Sequence, residues 1–222
     1  MNTTERIVEA YFRICRNCFT NPDVKVVGGN NRQIDLLAYN VADKQGFHVE
    51  TTVTHCENWC PRLEHLKEYF DYKFLGHPRQ SVKKSSDCAK GKSYLPQIHS
   101  TYRRFGLEPD LVQRVICCWA VVDVGDWEPF IVEYCATRQL PGPTIQLLSF
   151  RDAVLPALQK TVGTSNYEDD VLRTFSLLRA HQHQTSQSAK NQNIGAAVAT
   201  ASGPTSSVAS EENCVSSLTA RP

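Results

Sequence analysis

The 222-residue chain lacks any long apolar run; the longest, Val115 to Val122, falls far short of the roughly 18 residues a membrane-spanning helix needs. No membrane span is therefore expected. An excess of either charge is also lacking, because Lys+Arg 24 against Asp+Glu 23 leave a net charge of +1, which excludes an acidic or basic tail protein. The opening MNTTERIVEAYFRICRN carries charges where a signal peptide needs its apolar segment, so the expected location is the cytoplasm. In that compartment nine cysteines, an odd number, read as reduced thiols and not as a disulfide framework. From Gln182 to Pro222 there is no aromatic residue, and the only charges are Lys190, Glu211, Glu212 and Arg221. Such a segment cannot offset its ordering entropy, so a disordered low-complexity tail is expected over 182–222. What is present is 41% hydrophobic residues, enough for a core, and residues 1–181 suit one domain.

The pattern within that domain is α/β. Asn2 with Glu5 three residues on can cap a helix carrying Ile7, Val8, Tyr11, Ile14, Cys15 and Cys18 at helical spacing. Asn21-Pro22 is expected to break it; Val24–Val27 reads as a short strand, Gly28–Asn31 as a turn, and Gln33–Tyr39 as the second strand of a hairpin. Phe47–Thr54 then alternates, with His48, Glu50, Thr52 and Thr54 on one polar face. Pro61 suits the start of a helix with a stripe of Leu63, Leu66, Phe70 and Phe74, ended by Gly76 and Pro78. After a polar stretch, Arg79 to Asp110, two nearly continuous apolar runs, Val112–Val124 and Phe130–Ala136, read as buried strands. Ser149 with Asp152 opens a helix, and Asn166 followed by Glu168, Asp169 and Asp170 opens the last.

Asp35 lies inside the apolar strand QIDLLAY, where an unpaired carboxylate is expensive to bury. Glu50 sits on the polar face of the next strand, and pairing of the two strands would bring both carboxylates within reach of one hard cation, Mg²⁺ or Mn²⁺. The main-chain carbonyl of Thr51 is a third oxygen, and Glu9 a further carboxylate if its helix face turns to the sheet. The alternative is that Asp35 binds an arginine such as Arg32 or Arg114 and that Glu50 is solvated.

Together, Glu9 in VEAYF, Asp35 in GGNNRQIDLLAYN and Glu50 in HVETTVT resemble the PD-(D/E)XK nuclease superfamily, the restriction-endonuclease-like fold of Mrr-type enzymes and archaeal Holliday-junction resolvases. The resemblance covers about residues 5–75, with the element order continuing to about residue 136. It implies metal binding by Asp35 and Glu50, help from Glu9, and Mg²⁺-dependent endonuclease action on DNA, with homodimerisation left open. The motif lysine, two positions after the glutamate, is Thr52 here. Some members carry that lysine on the following helix, where Lys67 falls in the apolar stripe and is the first candidate for the catalytic role; Lys73, at the other edge, is the second. Without such a lysine the chain would be a catalytically silent DNA-binding module.

Between Arg79 and Arg104 the basic residues Arg79, Lys83, Lys84, Lys90, Lys92, Arg103 and Arg104 face only Asp87, with Tyr94, His99 and Tyr102 interleaved. Cations for phosphates beside rings for bases suit a nucleic-acid surface. A zinc-stabilised interaction domain is a further alternative, since Cys15-x-x-Cys18 and Cys56-x-x-x-Cys60, with His55 adjacent, have compatible spacings. Cys117, Cys118 and Cys135 read as core residues.

Overall fold

The computed structural model describes residues 1–53, 63–78, 93–121, 124–140 and 145–201, with the side chains of 63–65, 124–126 and 189–201 left out of the description. The chain divides into two units, Met1–Arg179 and Ala180–Pro222. The first is α/β, built on a five-stranded mixed sheet in the order β1 (Cys18–Lys25), β2 (Gln33–Asn40), β3 (Gln45–Thr51), β4 (Gln113–Cys118) and β5 (Ile145–Ser149). β1, β2 and β3 pair antiparallel, whereas β3–β4 and β4–β5 are parallel.

Helix α1 (Thr3–Ala10) opens as the sequence indicates. Asn2 accepts the Glu5 N–H at 3.0 Å and its own N–H donates to the Glu5 carboxylate at 2.8 Å, a reciprocal cap. A wider π-type turn, Tyr11–Cys15, follows, and Asn17 in the left-handed region (φ 50°) turns the chain into β1. That strand begins earlier than expected and runs through Pro22. It is the edge strand, paired only with β2, so a residue without an N–H is tolerated there.

The other helices are α2 (Leu63–Lys73), α3 (Leu95–Arg104), α4 (Val124–Thr137), α5 (Leu155–Thr161) and α6 (Asp170–Ala201). Two of them correct the sequence reading. Phe130–Ala136, expected as a strand, lies inside α4, and the fifth strand is the short β5. In the second unit residues 180–201 are helical, so the first part of the tail expected to be disordered over 182–222 is helix, while its remainder, 202–222, lies outside the described residues. Ser149 and Asp169 cap the last two helical segments, accepting the N–H groups of Asp152 and of Val171 and Leu172 at 3.0 Å.

The sheet separates two cores. On one face Val8, Phe12, Leu36, Ala38, Phe47, Val49, Val115, Cys117, Leu148 and Leu158 pack together. On the other, Leu66 and Phe70 of α2, with Phe74 just after it, meet Ile116 and the α4 residues Trp127, Ile131 and Tyr134, and α3 places Ile98 and Tyr102 against Leu37 and Val112. Asp71 accepts from the Tyr134 hydroxyl at 2.7 Å and from Arg138, tying α2 to α4. Among the described residues, no helix is long and apolar enough to cross a membrane.

Candidate active site

Asp35 and Glu50 meet where the β2–β3 ladder ends. The register pairs Leu37 with His48 and Leu36 with Val49. One step further sets Asp35 opposite Glu50, and antiparallel partners share a face. No ladder pair forms there; the Asp35 carboxylate itself accepts the Thr51 N–H at 2.8 Å. Glu50, far from being solvated, is 1% exposed. Its Oε1 lies 2.8 Å from His48 Nε2, and its Oε2 is bonded to Lys73 Nζ at the end of α2. Lys73 Nζ also stands 3.9 Å from Asp35 Oδ1. Two carboxylates and one ammonium therefore converge from three elements.

Their protonation follows from this crowding. Burial, then the neighbouring Glu50 charge, pushes the Asp35 carboxyl up to about 6. Burial raises Glu50 as well, against the pull of Lys73. For Lys73, burial opposes the charge, but Glu50 and Asp35 outweigh it and its pKa is raised. The lysine is held as an ammonium at any physiological pH.

Of the two candidate lysines, the structure brings Lys73, and not Lys67, to the carboxylates. At 100° per residue the two flank the Leu66–Phe70–Phe74 stripe on opposite sides, about 120° apart. The Lys73 edge faces the carboxylates. Lys67 is exposed on the other edge, in a cleft with Phe130, Glu133, Tyr134 and Thr137 of α4. Glu9 is not brought to the site either. Its carboxylate accepts the Thr20 hydroxyl at 3.0 Å, and Thr20 pairs with Ala38, whose face is opposite to that of Asp35. Thr52, at the motif-lysine position, donates its N–H to the Cys117 carbonyl at 2.8 Å, and lies beside Tyr69. Tyr69 and Lys73, one turn apart on α2, thus look onto the same carboxylates.

Behind Glu50 runs a buried polar chain. His48 Nδ1 is 2.5 Å from the Tyr102 hydroxyl, whose pKa burial raises against the pull of the neighbouring Arg114 guanidinium. His48 and Tyr102 are 0% exposed and Arg114 1%. Burial, and then Arg114, pushes the His48 pKa well below its usual value. Neither arginine weighed as a partner for Asp35 takes that place. Arg114 donates to the Val112 carbonyl at 3.4 Å, and Arg32 donates to the Tyr72 and His77 carbonyls at 2.6 and 2.8 Å. Gly76, between those two acceptors, has φ +70°, and a Cβ there would stand 2.9 Å from the Tyr94 backbone, so this close turn requires glycine. The signal available for His48 was its place two residues before Glu50 on one strand face.

Of the basic segment, Arg103 and Arg104 are exposed on the last turn of α3, whereas Lys83, Lys84, Lys90 and Lys92 lie outside the described residues. Cys18 is buried and donates to the Arg16 carbonyl, and Cys15 donates to the Thr161 hydroxyl; His55, Cys56 and Cys60 lie outside the description. Cys117, Cys118 and Cys135 are buried. Among the described residues no group of three or more His, Cys, Asp or Glu side chains could hold a metal ion, so any ion at the sheet would rest on Asp35 and Glu50 as its protein carboxylates. That all-oxygen pair suits a hard cation such as Mg²⁺, which is commonly held by one or two carboxylates with water and phosphate oxygens completing the shell. The chain matches no protein-family model, no curated protein and no solved structure.

Proposed function

We propose that the protein is a Mg²⁺- or Mn²⁺-dependent phosphodiesterase, an endonuclease acting on DNA, on a restriction-endonuclease-like core. The observation that carries this reading is the convergence of Asp35, Glu50 and a lysine from the following helix, Lys73, at the end of a β-hairpin. Asp35 and Glu50 would hold the cation. When bound, the ion would supply an activated water and neutralise charge on the scissile phosphate.

The protein groups have distinct tasks. Asp35 must lose its proton to bind a cation, and with a pKa of about 6 it does so below neutral pH. Lys73, permanently charged, acts as an electrostatic group for the negative charge that builds on phosphate and not as a general base. Arg103 and Arg104, with Lys83, Lys84, Lys90 and Lys92 from the same basic segment, would hold the nucleic-acid backbone.

The reading is tested by incubating the full chain with plasmid and short duplex DNA in Mg²⁺, Mn²⁺ or EDTA. Metal-dependent nicking, abolished by Asp35→Ala and by Glu50→Ala, is the expected result. DNA binding with no cleavage by wild type in either metal would favour the silent DNA-binding module.

A further inference from the structure

Glu50 is held from two sides, and only one of them belongs to the proposed chemistry. Lys73 meets Oε2. On the other side, Oε1 begins a chain of buried polar groups contributed by β3, α3 and β4, with no carboxylate beyond Glu50 in it: His48, Tyr102 and Arg114. Polar side chains in such a place are costly unless every hydrogen bond is made, and apolar residues of similar size would pack there at least as well. Phe74 already packs edge-on to the His48 ring, with centroids 4.9 Å apart.

The donor inventory gives the chain one direction. An ionised Glu50 can only accept, so His48 Nε2 carries the hydrogen. The neutral ring then presents Nδ1 as an acceptor, which the Tyr102 hydroxyl fills by donating. The phenolic oxygen is left to accept, and Arg114 is a pure donor. Both bonds therefore point at Glu50, with the positive charge of the Arg114 guanidinium acting on Tyr102 behind them. The anchor is also geometrically fixed, because His48 and Arg114 are direct partners in the β3–β4 register.

We infer that His48 and Tyr102, backed by Arg114, are positioning residues that lock the orientation of the Glu50 carboxylate so that it can serve a divalent cation. This rests on the metal-dependent reading above. Such a chain is the carboxylate counterpart of the outer partners that orient metal-binding histidines, whose loss typically weakens metal affinity about 10- to 100-fold.

The test measures Mn²⁺ affinity of the full chain by electron paramagnetic resonance, without DNA, with circular dichroism to show that each variant is folded. His48→Phe should weaken Mn²⁺ binding about 10- to 100-fold. His48→Gln keeps an amide donor for Glu50 and should stay within about threefold of wild type. Tyr102→Phe, which removes one hydroxyl from a ring that remains packed, should weaken binding in the same direction as His48→Phe, and it decides the matter alone if His48→Phe does not fold. A folded Tyr102→Phe protein that binds Mn²⁺ as tightly as wild type overturns the positioning role while leaving the metal site standing. Absence of Mn²⁺ binding by wild type overturns the functional reading, and this inference with it.

Discussion

Arg32 and Tyr72 are joined twice: the guanidinium donates to the Tyr72 carbonyl at 2.6 Å and lies 4.7 Å from the centroid of its ring. A second bond reaches the His77 carbonyl at 2.8 Å, so the residue before β2 clamps the end of α2 immediately beside Lys73. Arg32→Ala should lower unfolding free energy by about 2 kcal/mol, the scale of hydrogen bonds to a charged group, and should also reduce cleavage by loosening the lysine. Urea denaturation and single-turnover cleavage measure the two effects. Arg32→Lys should rescue neither, because an ammonium cannot reproduce the planar fork.

Substitution of the two α2 lysines should separate them cleanly. Lys73→Met should cut the cleavage rate by about 10² or more, as for loss of a charge-stabilising group. It should also destabilise the fold by about 3 kcal/mol, since Glu50 is left buried without its cation. Adding Glu50→Gln to Lys73→Met should recover most of that stability and none of the activity. Lys67→Ala should leave rate and stability near wild type, and a large loss there would return the role to that residue.

The pH dependence of stability has a defined sign at Asp35. Its folded pKa, about 6, lies above its ordinary value of 3.8, so the folded state binds more protons between these values. The contribution to stability is complete below about pH 4 and is lost as pH rises through about 6, amounting to about 3 kcal/mol at most. Asp35→Asn should therefore be more stable than wild type at neutral pH without metal, and the gap should close on acidification. Chemical denaturation from pH 4 to 7.5 tests this; a gap that widens toward low pH would show that the carboxylate is stabilised by its surroundings.

Binding to DNA should weaken steeply with salt. Replacing Lys83, Lys84, Lys90 and Lys92 by Ala should flatten the slope of log K against log [salt] by roughly 0.7 to 0.9 per lost phosphate contact. Fluorescence anisotropy titrations read the slope directly. An unchanged slope would place the nucleic-acid surface on other residues.

Asp35 and Glu50 could be singled out from sequence because a carboxylate in an apolar strand has to be compensated, and strand pairing offers few compensators. The α1 cap was legible for a similar reason, being a local hydrogen-bond pattern. Lys73 was harder, since it and Lys67 sit symmetrically about one helical stripe, and only the packing of α2 shows which edge meets the sheet. His48 was read as part of a polar strand face; alternation cannot reveal that α2 and α3 cover that face, and the covering turns an ordinary polar position into a 0%-exposed one. The segment Phe130–Ala136 misled because a helix with apolar residues on most sides and a buried strand present the same nearly continuous run. β5 is too short and irregular in polarity to stand out.

The lysine of this site arrives on α2, a separate piece of chain from the hairpin that carries Asp35 and Glu50. No local fragment of the sequence contains both the cation and the carboxylates, so the constellation exists only while helix and sheet stay docked. A partly opened form in which α2 detaches and the five strands persist would keep the carboxylates facing one another and lose the ammonium. Competence for chemistry would then report on the docking of α2, and in that form it would be lost although the sheet persists.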